Sequence, residues 1–142
     1  MNAAFYKGTR PGLHGVYNRA VRLWTRGPYS HCELVFGDGI AASASLMDGG
    51  VRMKRIDFDA AKWDFVPLPW ADAARARRWF IDRDGMPYDV LGNLRFVVPP
   101  LPDAPLRFFC SEAVLAALGF AEAWRFCPNG AHDILKTLEP QR

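Results

Sequence analysis

No apolar run in the chain approaches the roughly 18–20 residues that a membrane-spanning helix needs. Residues 1–8 (MNAAFYKG) hold no apolar segment of the secretory kind. Both absences predict a cytoplasmic protein, or one delivered by a non-classical route. Cysteine is scarce: there are three, at 32, 110 and 127. Their odd number and wide spacing argue against a disulfide framework. No Cys-x-x-Cys pair supports a zinc ribbon or a thioredoxin-like site. Charge of one sign is scarce too, with 18 Lys and Arg against 15 Asp and Glu. Only Arg75, Arg77 and Arg78 cluster, and they read as a solvated helix face. A dedicated nucleic-acid binder would carry a denser basic stripe. Internal repeats, low-complexity tails and domain boundaries are lacking, so residues 1–142 read as a single domain. Apolar material is not lacking. Half the residues are hydrophobic and 13% are aromatic, which suffices for a core and excludes a disordered chain.

The periodicity predicts a mixed α+β fold. Leu13, Val16, Tyr17, Ala20, Val21 and Trp24 recur at helical spacing over residues 12–25, and Gly27-Pro28 closes that helix. Residues 30–36 and 40–46 flank Gly37-Asp38-Gly39 and read as a hairpin. Residues 51–56 and 63–68 read as two further strands. Residues 72–83 read as a helix, broken by Gly85-Met86-Pro87. Residues 88–98 have no clear period. Residues 99–105 hold four prolines and read as an extended loop. A short apolar helix follows at 111–118, stopped by Gly119. A last helix runs over 131–138, started by Pro128-Asn129-Gly130.

Cys110 stands where an aromatic segment enters the 111–118 helix. A thiol there feels the positive end of the helix dipole and unpaired N–H groups, and both favour thiolate. The same N–H groups can stabilise an oxyanion on an attacked carbonyl. A buried core cysteine would occupy the same position. Three histidines could serve as base. His14 lies in the first helix and reads as a surface or locally satisfied residue. His132 reads as a capping or locally bonded residue. His31 opens a strand, a rigid mount for a general base.

A catalytic imidazole needs a partner on its second nitrogen. If residue 36 faces residue 40, His31 falls opposite Ser45, and a two-residue slip brings Ser43 there instead. Ser45 and Ser43 rank first as orienting groups, with Glu33, on the same strand face as His31, behind them. Cys32 alternates to the other face, so His31 and Cys32 do not share a metal ion. Cys127 sits in a loop without a base. Neither a metal site nor a cofactor site is expected, and Cys32 and Cys127 read as bystanders.

Ser30-His31 opening a strand, Tyr88-Asp89 after Gly85, Cys110-Ser111-Glu112 opening a late helix, and the Pro128-Asn129 helix start together resemble a known group. They are similar to the circularly permuted papain-like enzymes of the YiiX/YaeF type, relatives of NlpC-type cell-wall peptidases and of lecithin:retinol acyltransferase. The likeness spans about residues 29–135. It implies a small antiparallel sheet or half-barrel with the nucleophile helix packed against it. It implies that Cys110 is the nucleophile, His31 the base, and the Ser43–Ser45 region the source of the third polar group. Tyr29, Glu33, Tyr88 and Ser111 flank these positions and are candidate substrate-binding residues. The implied activity is cysteine-dependent hydrolysis of an amide in a peptide substrate, with cell-wall peptides among the candidates. An acyltransferase or lipid-acyl hydrolase, with an acyl substrate, is the second expectation. A non-catalytic phage or secretion-associated module is the third. Residues 99–105 could wall an acyl groove or form a plain connection.

Overall fold

In a computed structural model that describes residues 1–94 and 106–138, Gly39 takes the left-handed conformation at φ 80°. A glycine bears this without strain, and it closes the hairpin between β2 (His31–Val35) and β3 (Ile40–Ser45). The Phe36 N–H bonds the Ile40 carbonyl at 2.9 Å, and Leu34 pairs with Ala42. Carried to the strand ends, that register sets His31 opposite Ser45. Strand β4 (Gly50–Arg55) pairs along β3, and β5 (Trp63–Pro67) lies at the far edge.

The sheet has a member that the sequence reading does not anticipate. Asn2–Tyr6 forms β1, which lies between β2 and β5. The order is β4-β3-β2-β1-β5, and every pairing is antiparallel. Ala3, Ala4, Phe5 and Tyr6 are all buried. An interior strand covered on both faces has no polar alternation to betray it.

Five α-helices are described. They are α1 (Leu13–Trp24), α2 (Ala73–Ile81), α3 (Val90–Leu94), α4 (Cys110–Leu118) and α5 (Pro128–Thr137). Asp72 caps α2 by accepting the Arg75 N–H at 3.0 Å. Helix α4 is largely apolar after its first turn, and Ala113, Val114, Leu115 and Ala117 are buried. It packs on β2 and β3, between α2 and α5. Phe5, Leu34, Val66, Phe80 and Phe109 complete this core. A mixed α+β fold with a five-stranded antiparallel sheet is therefore in place among the described residues. The proline-rich stretch 99–105 and the end of 88–98 lie outside them.

Helix α1 is the exception to ordinary packing. It buries Gly15 and Asn18, whereas Leu13, Val16, Leu23 and Trp24 are exposed.

The segment before His31 is fastened by Asn129 in the first turn of α5. Asn129 Oδ1 accepts the Tyr29 N–H at 3.0 Å, and Nδ2 donates to the Tyr29 carbonyl at 3.0 Å and to Thr25 Oγ1 at 2.6 Å. A Cβ on Gly27 would fall 2.2 Å from Asn129 Oδ1, so glycine is required there. Asn129→Ala strips buried Tyr29 of both main-chain partners. It should cost about 2–4 kcal/mol of stability, read as a lower urea midpoint. An unchanged midpoint would mean that water replaces the amide.

Candidate active site

Cys110 is the first residue of α4 and is 2% exposed. Phe109 before it is extended, and the Glu112 carboxylate accepts the Phe109 N–H at 3.4 Å. The thiol therefore stands at the positive end of the helix, beside first-turn N–H groups that have no intrahelical acceptor.

The Cys110 thiol interacts with the Cys32 thiol, the Cys32 main-chain N–H and the His31 imidazole. The Cys32 thiol does most to lower the pKa of Cys110. Burial opposes it, and the bond and charge of His31 add to it. The net result holds the Cys110 thiol well below its ordinary range. Cys32 moves the other way, since burial and its bond to Cys110 push it well up.

His31 Nε2 lies 2.7 Å from Glu33 Oε1. With Nε2 engaged, Nδ1 is the nitrogen left for the thiol. Burial disfavours the charged imidazole. The bonds and charges of Cys110 and then Glu33 outweigh it, and the pKa rises to about 9. Cys110 down and His31 up describe a thiolate–imidazolium pair over the neutral range.

Glu33 is 1% exposed, and a bare carboxylate at that depth would take up a proton. Arg52 of β4 prevents it by donating to both carboxylate oxygens, Nη1 to Oε2 at 2.6 Å and Nη2 to Oε1. Burial raises the Glu33 pKa, but Arg52 and then His31 win and keep it low. Arg52 is steadied in turn by Asp48, Nε to Oδ2 at 2.8 Å, and Asp48 is paired to Lys54 at 2.7 Å. Charge alternates along the whole chain of contacts: Cys110, His31, Glu33, Arg52, Asp48, Lys54.

This arrangement corrects the expected third group. His31 is oriented by Glu33 rather than by a serine. Ser45 stands on the wall of the cleft beside His31. Ser43 is buried, and its hydroxyl donates to the Cys32 carbonyl at 2.7 Å. The cross-strand geometry is as expected, but serine is too short to compete with a carboxylate on the same strand face. Cys32 is also no bystander. It faces the core side of the sheet, which is the side that carries α4, and so meets Cys110. Cys127 caps α5, its sulfur accepting the Gly130 N–H at 3.5 Å.

Among the four candidate substrate-binding residues, Glu33 is occupied by His31 and Arg52. Tyr88 lines the cleft, with its hydroxyl 3.2 Å from that of Tyr17. Tyr29 points elsewhere. Its hydroxyl donates to Asp64 at 2.8 Å, its ring stacks on His132 at 4.6 Å, and its pKa is pushed up to about 12 by burial and Asp64. Ser111 is buried and donates to the Phe126 carbonyl at 2.7 Å. Neither Tyr29 nor Ser111 lines the cleft. That cleft is small and opens between α1 and the ends of β2 and β3, with Arg10, His14, Tyr17 and Met47 among its walls. Arg52 and Tyr17 are the contributors that sequence reasoning missed.

Among the described residues no cluster of three His, Cys, Asp or Glu is placed to hold a metal ion. No family model, curated protein or solved structure matches the chain.

Proposed function

We propose that this protein is a cysteine hydrolase of amide bonds, with Cys110 as nucleophile, His31 as general base and Glu33 as the group that orients His31. One observation carries the proposal: a buried thiol at a helix N-terminus interacts with an imidazole whose Nε2 is held by a buried carboxylate. A core cysteine has no need of that arrangement.

The reaction follows from the geometry. His31 holds the thiol proton, and the Cys110 thiolate attacks the substrate carbonyl carbon. The carbonyl oxygen becomes an oxyanion beside the first-turn N–H groups of α4. As the C–N bond breaks, the imidazolium proton passes to the leaving amine. A water then attacks the thioester, giving its proton to His31. The acid leaves and Cys110 is released as thiolate, paired again with the imidazolium. The fold reading that goes with this is the permuted papain-like one, in which the histidine strand precedes the cysteine helix in the chain.

A lipid-acyl hydrolase or acyltransferase with the same groups is the second reading. Exposed Leu46 and Met47 at the cleft favour it, since they offer an acyl chain an apolar approach.

Trapping the acyl-enzyme tests both. The protein is incubated with muropeptide amides or with short-chain phospholipids, quenched in acid and weighed intact. An adduct on Cys110 that hydroxylamine releases, absent from Cys110→Ala, is the expected result. A peptidyl mass supports the amide hydrolase, and a fatty-acyl mass supports the second reading. No adduct from either panel, together with an ordinary thiol titration at Cys110, would overturn the proposal.

A further inference from the structure

Helix α1 is mounted with its polar side inward. Gly15 and Asn18 face the protein, with Asn18 Nδ2 donating to Ser30 Oγ at 3.0 Å. Arg22 on the same side donates to the Lys7 and Gly8 carbonyls at 2.6 and 3.1 Å. The opposite stripe is apolar and open: Leu13 is 85% exposed, Val16 63% and Leu23 81%, with Ala20 and Trp24 on the same side. A surface helix ordinarily turns such a stripe to the core. Here polar bonds hold the helix while three aliphatic side chains meet solvent, which is the layout of an interface-lying helix.

Charge identifies what the stripe meets. The first acidic residue of the chain is Glu33, and before it stand Lys7, Arg10, Arg19, Arg22 and Arg26. The modest net charge of +3 hides this block, because acids predominate after it. Arg19 is exposed beside the stripe, and Arg26 is exposed just past the end of the helix. Exposed Leu46 and Met47, on the other side of the cleft, extend the apolar surface across its mouth. An apolar stripe bordered by arginines with no acid in the segment is complementary to an anionic lipid surface.

We propose that α1 docks this protein on anionic membranes, with Leu13, Val16 and Leu23 in the interface and Arg19 and Arg26 on the lipid headgroups. Docking so places the cleft, whose walls include His14 and Tyr17 of the same helix, at the membrane surface.

The test is cosedimentation of the full chain with phosphatidylglycerol–phosphatidylcholine vesicles and with pure phosphatidylcholine vesicles. Binding is expected to the anionic vesicles and to fall as salt is raised. Val16→Glu with Leu23→Glu should lower it at least tenfold. Arg19→Glu with Arg26→Glu should lower it several-fold. Cys110→Ser should bind like wild type, which separates docking from the proposed chemistry. Failure to pellet with the anionic vesicles would overturn the proposal. So would a lower melting temperature of the Val16→Glu, Leu23→Glu protein without lipid, since the stripe would then be covered by the chain itself. Self-association abolished by the same pair would assign the stripe to a second copy instead.

Discussion

Alkylation of Cys110 by iodoacetamide should be nearly independent of pH between 6.5 and 8.5. An ordinary thiol of pKa about 8.5 gains about 50-fold in thiolate over that span, and its rate follows. Cys110 is held well below the ordinary thiol range by Cys32 and by His31, so its thiolate fraction should change little over the span. The shape of the profile is the right readout, because a 2% exposed sulfur reacts at a rate set partly by access. Access scales the curve without bending it. Cys32, buried and pushed up, should remain unlabelled in the native protein. His31→Ala should restore most of the pH dependence and lower the rate at pH 6.5 by at least tenfold. A wild-type rate that climbs like that of a free thiol would remove the case for an activated nucleophile.

The same pair makes a stability prediction of definite sign. The His31 pKa is about 9 in the folded chain against 6.5 for the unperturbed side chain. The folded state therefore holds the proton more tightly. The resulting stabilisation is fully present below about pH 6.5 and is lost as pH rises through about 9. Glu33 and Asp48 are shifted down, so their contributions are present above the ordinary carboxylate range and fade as acid is added. Cys110 is shifted down and works the other way, adding stability as pH rises to the ordinary thiol range of about 8.5, so urea midpoints should be level near neutrality and decline only on the alkaline and acid sides. Cys110→Ala should weaken the alkaline decline, since the thiolate is the first group that raises His31.

Much of this site is legible in the chain because it rests on local rules. The Gly37-Asp38-Gly39 loop sets the hairpin, the hairpin sets which residues share a face, and the 111–118 pattern puts Cys110 at a helix start. What escapes is long-range. Strand β1 is short and buried on both faces, so it lacks a period and looks like an unstructured leader. Glu33 ranks behind the serines until Arg52, nineteen positions on, is brought over it by β4. Cys32 alternates away from His31 as the two-residue period requires. Yet α4 packs on the face to which Cys32 points, and His31, the first residue of β2, meets the same sulfur at the end of the strand. Periodicity reports faces and is silent about which face a distant helix will cover. In α1 it reports the helix but not the outward turn of its apolar side.

Loss of the Glu33 carboxylate should have the largest effect on folding. Glu33→Ala leaves the half-buried guanidinium of Arg52 with Asp48 alone and His31 with no partner on Nε2. Breaking one side of a buried ion pair costs about 3–5 kcal/mol. That is a large fraction of a typical stability of about 5–15 kcal/mol. The variant is tested at low temperature, and a second protein makes the result interpretable. Glu33→Leu with Arg52→Leu removes both charges together, and such replacements are often close to neutral. The double variant should therefore recover most of the stability lost in Glu33→Ala. It should not recover the flat alkylation profile. Without the carboxylate the imidazolium is less favoured, the thiol is less ionised, and the acid limb of the Cys110 profile moves up towards neutrality. Stability restored with the profile still displaced would assign Glu33 a positioning role in addition to its place in the ion-pair chain. A double variant that regained both would leave Glu33 a purely structural residue, and His31 would then owe its proton to Cys110 alone.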